Sequence, residues 1–335
     1  MQHRQQLDSI VVNAEQMAKI EGKIFADGMP VAALMEKAAL MMFQRIQQLY
    51  PLKNVSKVGV LVGPGHNGGD ALVIARELHL QGYDVCLYRP FSKLKELTQQ
   101  QANYAHSLGI PYYSDIEPLS NCELIIDGLF GFGLRRSLSG NIAIDVDCLN
   151  QWSLPVISVD IPSGLHTDTG EVLGTAIKAT HSLCLGLWKP VYFQDQALAY
   201  TGKAERIDFG IPWRDVRSVI SQPIPVQLLT KTLALEFLPL PRPQLTHKYQ
   251  QGHLLVICGS RRYAGGSILT GLGAKASGVG MLSIAVPESL KPLLVSHIPD
   301  GLIIDCPETK TGAIAALPKL ARDFDTYDII ACGPG

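Results

Sequence analysis

The sequence predicts an α/β protein, with a Rossmann-like parallel sheet sandwiched by helices followed by part of a second α/β domain. Three observations carry that expectation. From Lys57 onward, short β-branched or aliphatic runs alternate with longer amphipathic stretches, the pattern of crossover units in a sheet covered on both faces. The first run opens into Gly63-Pro64-Gly65-His66-Asn67-Gly68-Gly69-Asp70, a glycine loop that leads into a helical pattern. After a proline-rich stretch, a second strand, glycine loop, helix and strand follow.

In chain order, Ile10, Val11, Ala14, Met17 and Ala18 recur at helical spacing, as do Leu34, Ala38, Met41, Met42, Ile46 and Leu49. Strands are expected at 58–62, 85–88, 124–127 and 156–160, with helices at 71–80 and 94–108. Pro223, Pro225, Pro239, Pro241 and Pro243 bracket an apolar piece and mark a junction, because proline neither continues a helix nor donates to a ladder. The expected domains are therefore 1–222 and 246–335, joined by a linker at 223–245. In the second domain, strands are expected at 254–258, 281–286 and 327–332, with a helical stretch reaching Ser277. The last strand runs into Gly333-Pro334-Gly335. A parallel strand normally feeds a covering helix, so this domain is expected to be cut off mid-motif.

Composition narrows the class. With 47% hydrophobic and 18% charged positions the chain is an ordinary globular protein long enough for two cores. A net charge of -1 gives no reason to expect nucleic acid or an anionic membrane as partner. No apolar run approaches the roughly 18 residues of a spanning helix, and the polar segment from Met1 to Ile10 lacks a signal-peptide core. Seven scattered cysteines without a C-x-x-C pair read as reduced thiols in a cytoplasmic protein. The helical amino terminus could cover an interface in a homo-oligomer.

In open parallel sheets, ligands bind beyond the carboxyl ends of the strands. Three of the expected strands end in Asn67 and Asp70, in Asp127, and in Asp160 followed by Ile161-Pro162-Ser163. Gly63, Gly65 and Gly68 fit the dinucleotide fingerprint, yet Asp70 at the helix start would repel a pyrophosphate unless it merely caps the helix. The acidic ribose ligand expected about 20 residues on is missing, and Arg89-Pro90 stands there instead. Asn67, Asp127 and Ser163 offer an amide, a carboxylate and a hydroxyl, a set suited to a hard, weakly held monovalent cation. The alternative is that Asp127 and Ser163 cap adjacent helices. Gly131, Phe132, Gly133, Leu134, Arg135, Arg136 and Ser137 form either a phosphate cradle or a solvated loop. Asp160, before a turn fixed by Pro162, is an acid/base candidate, or else a partner for a local amide. Lys189 could bind substrate electrostatically or be a solvated surface lysine.

Together these segments resemble the NAD(P)H-hydrate epimerase family, the YjeF amino-terminal domain. The matching pieces are Leu34-Met35-Glu36-Lys37-Ala38-Ala39, the glycine loop, the segment 127–134, Val159-Asp160-Ile161-Pro162-Ser163-Gly164 and Asp208-Phe209-Gly210-Ile211-Pro212. They stand in family order over about residues 8–215. Two positions depart from the pattern: His66 replaces a usual asparagine and Ala71 a common glycine. The resemblance implies that Asp160, His66, Asn67, Gly68, Gly69, Asp70 and the run 131–137 contact substrate. It also implies that Asn67, Asp127 and Ser163 hold potassium. The substrate implied is hydrated NADH or NADPH, with water added across the C5=C6 bond of the dihydronicotinamide, and the family interconverts its C6 epimers.

The chemistry agrees. The C6 hydroxyl sits on a carbon bonded to ring nitrogen, so the nitrogen lone pair can expel it once protonated, and water can return to the planar iminium. A proton-exchanging group suffices and no hydride donor is needed; Asp160 is the expected group. The second segment resembles the start of NAD(P)H-hydrate dehydratase, a ribokinase-like fold, through His247-Lys248, Gly252, Gly259-Ser260, Tyr263-Ala264-Gly265-Gly266 and the final Gly333-Pro334-Gly335. Gly266 stands where that family has alanine near the substrate. The residues that bind ADP or ATP lie downstream of Gly335 in the family, so an incomplete dehydratase site is expected in a naturally bifunctional protein. The rival readings are an NADP-dependent oxidoreductase using Arg89 and a non-catalytic nucleotide-binding or dimerisation module.

Overall fold

The computed structural model describes residues 6–221, 223–238, 240–319 and 323–334. Pro239, Gly335, the first five residues of the amino-terminal segment and residue 222 at the expected boundary lie outside the described residues. The chain forms two compact units, Met1–Phe237 and Leu238–Gly335.

In the first unit, helices α1 (Ala14–Ala26) and α2 (Val31–Leu49) precede the sheet. There follow β1 (Lys57–Val62), α3 (His66–Leu80), β2 (Asp84–Tyr88), α4 (Glu96–Ser107), β3 (Tyr112–Tyr113) and β4 (Leu124–Gly128). Then come α5 (Asn141–Leu149), β5 (Val156–Val159), β6 (His181–Leu185), the single turn α6 (Leu198–Thr201), β7 (Lys203–Ile207), α7 (Trp213–Val219) and α8 (Lys231–Phe237). The strands are all parallel, in the order β3-β2-β1-β4-β5-β6-β7. Chain order reverses between β1 and β4, and a ligand crevice opens at such a switch point.

The period of two along each strand sorts side chains between two cores. Val58, Val60 and Val62 of β1 pack with Leu124 and Ile126 of β4 under α2, α3 and α4. Leu61 and Ile125 point the other way, onto Val146 and Leu149 of α5. Each such fully buried aliphatic side chain contributes about 1.5–3 kcal/mol. The amino-terminal helix starts later than periodicity suggests. Asn13 caps it, its Oδ1 accepting from Gln16 N at 2.8 Å while Gln16 Oε1 accepts from Asn13 N at 3.0 Å, a reciprocal capping box. Ile10 and Val11 are instead extended and bridge to Gln227 and Trp188.

Other boundaries differ for physical reasons. His66–Asp70 are not loop but the first turn of α3, with Gly65 as its N-cap. Asp70 therefore lies inside the helix, and it does not cap it. β5 stops at Val159 because Asp160 turns left-handed, with φ 65°. Sequence periodicity passes over β3, which has only two residues, and β7, whose Lys203, Glu205 and Arg206 break the apolar pattern at the sheet edge.

The second unit holds β8 (His253–Ile257), α9 (Ala264–Ala276), β9 (Met281–Pro287), α10 (Lys291–His297), β10 (Leu302–Cys306) and β11 (Ile329–Cys332). Its strands are parallel in the order β10-β9-β8-β11. Gly271 lets α9 sit down on the sheet: a Cβ there would fall 2.3 Å from Ile298 Cδ1 and 2.8 Å from Ile284 Cδ1. Among the described residues no helix is long and apolar enough to cross a membrane.

Candidate active site

The site is built at the switch point by glycines that let backbones touch. A Cβ on Gly63 would lie 1.7 Å from Leu129 O, and one on Gly68 would lie 2.0 Å from Gly63 O. No side chain fits at either position. Gly63 N also donates to Gly128 O at 3.1 Å, which ties the end of β1 to the end of β4. The first turn of α3 is thereby drawn against the segment that follows β4. That segment is fixed in turn to the residues after β5: Phe130 N donates to Ser163 Oγ at 2.8 Å and Phe132 N to Asp160 Oδ2 at 3.3 Å.

Four of the expected side chains converge on this segment. Around Gly131 an added Cβ would stand 3.0 Å from Asn67 Oδ1 and 3.3 Å from Asp160 Oδ2. Asp127, fully buried, accepts from Ser163 Oγ at 2.6 Å, Ser163 N at 2.9 Å, Ser158 Oγ at 2.9 Å and Leu129 N at 3.2 Å. Burial pushes its carboxyl up, and those donors only partly offset it, so the site would gain from a nearby positive charge. Asn67 Nδ2 is buried without a hydrogen-bond partner. An amide in that condition can turn its oxygen to a cation without giving up a bond. Ser163 Oγ and Phe130 O, 3.2 Å apart, add two more oxygens. Among the described residues no three His, Cys, Asp or Glu side chains gather as a metal site. The amide, carboxylate, hydroxyl and carbonyl set does fit a hard, weakly bound monovalent ion.

Beside this cluster a cavity of about 570 Å³ opens, within the range of small-ligand sites. Asp160 stands in its wall as the only non-glycine residue of positive φ among the described residues, a conformation that costs about 1–2 kcal/mol. Its Oδ1 accepts from Lys189 Nζ at 2.6 Å and Leu185 N at 3.2 Å, and Tyr192 OH donates to its carbonyl. Lys189 is not a surface lysine but wholly buried. Burial opposes its charge, yet Asp160 and its other neighbours outweigh that and hold it more firmly protonated than usual. Lys189 nonetheless lines the cavity beside Asp160, with its ammonium paired to that carboxylate.

Of the other expected contacts, His66, Asn67, Asp70, Gly131, Phe132, Gly133, Leu134, Arg135 and Arg136 line the cavity. Arg135 and Arg136 are exposed, and burial lowers the His66 imidazole, helped by Lys95. Gly68 and Gly69 do not line it: Gly68 faces Gly63, and Gly69 faces Met35 and Thr98. An added Cβ would meet the Gly63 backbone 2.0 Å from Gly68 and the tip of Met35 2.6 Å from Gly69. Ser137 is exposed and outside the lining, and Gly266 belongs to the other unit, near Pro334. Arg89 stacks over the Tyr112 ring at 4.1 Å and does not line the cavity either. Sequence reasoning missed Lys95 and Glu21, which do. Glu21 had a visible signal, a carboxylate beside the buried stripe Met17, Ile20 and Ile24. Burial raises it to about 7, with Lys189 opposing and Asp160 adding to the shift.

Known proteins resemble this chain in sequence and fold. The family model described as YjeF-related protein N-terminus matches residues 31–191, and that of NAD(P)H-hydrate dehydratase matches 254–335. The NAD(P)H-hydrate epimerase of Oenococcus oeni is 36% identical over 186 residues, covering 55% of this chain and 88% of its own. The chain belongs to the NAD(P)H-hydrate epimerase family. Its two segments stand in the order found in bifunctional relatives. One of these, the bifunctional NAD(P)H-hydrate repair enzyme of Synechocystis, is 54% identical over 97% of this chain. The chain spans 62% of that relative's length and 64% of the next. The crystal structure of yeast ynu0 is similar over 55% of the chain and 83% of its own, with a TM-score of 0.51 and 28% identity. The matched epimerase segment contains the glycine loop, Asp127, Asp160, Ser163 and Lys189.

Proposed function

We propose that the first unit epimerises hydrated NADH and NADPH at C6, with Asp160 as the proton-exchanging group. The observation that carries this reading is the geometry of Asp160: a strained, buried carboxylate paired with a buried lysine at the wall of a cavity. Enzymes keep such strain where a side chain must be aimed. The exposed Arg135 and Arg136 and the backbone amides of Gly131 and Gly133 receive the phosphates. Phe132 and Leu134 present apolar surface to the ring. The C6 hydroxyl departs as water, ring nitrogen carries the iminium charge, and Asp160 exchanges the proton with the water.

Potassium is the cation we assign to Asn67, Asp127 and Ser163. When bound it supplies a fixed positive charge that holds the loops after β1, β4 and β5 together and orients polar groups of the ring. The second unit belongs, in this reading, to an ADP- or ATP-dependent dehydratase that returns the S hydrate to NAD(P)H, and the intact protein joins the two activities.

The test starts from one resolved hydrate epimer and follows the epimer ratio by chromatography. Asp160→Asn should lower the enzymatic rate at least a hundredfold while hydrate still binds. Turnover by this variant within a few-fold of the parent refutes the assignment. Reduction of intact NADP would instead favour the oxidoreductase reading.

A further inference from the structure

Inversion at C6 removes hydroxyl from one face of the ring and returns water to the other, so a second group on the far face would speed a reaction that one proton-exchanging group can carry. Three donors hold Asp160 in place: its Oδ1 accepts from Lys189 Nζ and Leu185 N and its Oδ2 from Phe132 N, which leaves one acceptor position on Oδ2. The cavity wall holds two further carboxyls, Glu21 and Asp70, and Asp70 is built differently from Asp160. Asp70, in α3, is 9% exposed, lines the cavity, and has no hydrogen-bond or ion-pair partner among the described residues. It stands where the cavity meets a smaller crevice, in which Phe25, Leu34, Met35 and Phe209 are joined by Glu21 and His66. Asp160 does not line that crevice.

We propose that Asp70 is a second catalytic residue, serving the face of C6 opposite to the one served by Asp160. This rests on the epimerase reading of the same cavity. In one direction the Asp70 carboxyl gives its proton to the C6 hydroxyl oxygen. The C6–O bond breaks with its electron pair on oxygen, water leaves, and the N1 lone pair becomes the C6=N1 bond. Water then bonds to C6 on the other face, N1 recovers its pair, and the proton lost by water passes to Asp160. The reverse direction exchanges the two roles, so the catalyst is restored over two opposite turnovers or by proton exchange with solvent. Burial pushes the Asp70 carboxyl well above the ordinary range, with Asp160, Glu21 and Glu36 adding to the shift. It thus rests as the neutral acid the first step needs.

Oxygen exchange distinguishes two faces from one. The full-length chain is incubated with each resolved hydrate epimer in H2(18)O, and label at C6 is measured alongside epimer ratio, with the enzyme-free rate subtracted. The unaltered protein should label and epimerise both. Asp70→Asn should lose epimerisation at least a hundredfold yet keep labelling one epimer with retention. Asp160→Asn should do the same for the other epimer, a complementarity that loss of folding cannot mimic. The proposal is overturned if Asp70→Asn epimerises within a few-fold of the parent, or if either variant labels both epimers or neither. If the unaltered protein does neither reaction, the epimerase reading itself fails.

Discussion

The ion pair between Lys189 and Asp160 should dominate the stability of the first unit. Lys189→Met keeps the side chain's length and apolar stem but removes the ammonium. Both partners are essentially sealed, with side chains 1% and 4% exposed and 2.6 Å between Nζ and Oδ1. Deleting one member leaves the other charge buried and unpaired, which costs about 3–5 kcal/mol. For a unit of this size about 2–4 °C accompanies each kcal/mol, so the unfolding midpoint should drop by about 6–20 °C. Urea unfolding followed by tryptophan fluorescence and far-UV circular dichroism measures the loss. The double variant Asp160→Asn/Lys189→Met tests its origin, because removing both charges should cost less than the sum of the single changes by about 1–3 kcal/mol. A single-variant loss below about 1 kcal/mol, or strict additivity, would show that the pair is exposed or absent, and the reasoning about Asp160 would fall with it.

Other expectations follow from the same geometry. Gly63→Ala drives a methyl into Leu129 O and should destabilise by about 1–3 kcal/mol or more, read as a lowered thermal midpoint. The neutral exposed control Gly133→Ala, with open space around it, should change little. Glu21, whose pKa rises from 4.5 to about 7 on folding, binds its proton more tightly in the folded chain. Its contribution is therefore present below about pH 4.5 and lost as pH rises through 7. Glu21→Gln should then stabilise the protein above pH 7, by up to about 3 kcal/mol, and flatten stability between pH 5 and 8. Replacing potassium by tetramethylammonium should lower the thermal midpoint of the parent but not of Asp127→Asn, as measured by differential scanning calorimetry.

Much of this was legible in residue order. The short apolar runs became strands because their alternate residues feed two cores, and the loops after β1, β4 and β5 meet because parallel strands place their carboxyl ends on one rim. Asn67, Asp127, Asp160 and Ser163 were found on that rule alone. What could not be read depends on partners distant in sequence. Burial of Lys189 follows from Asp160, 29 residues earlier, and nothing next to Lys189 announces it. Glu21 enters the cavity only because α1 packs across the rim. The start of α3 at His66 rather than Ala71 hid behind glycines, which signal loops by propensity yet here permit the close approach of a helix turn to Gly63.

The left-handed backbone at Asp160 shapes how this pocket can change over generations. Glycine would relax that conformation, yet on its own it strands a buried ammonium, at a larger cost than the relief it brings. Loss of the lysine alone is equally blocked. A lineage drifting toward a mere scaffold must abandon both side chains nearly at once, so intermediates are poorly viable and the pair tends to persist or vanish as a unit.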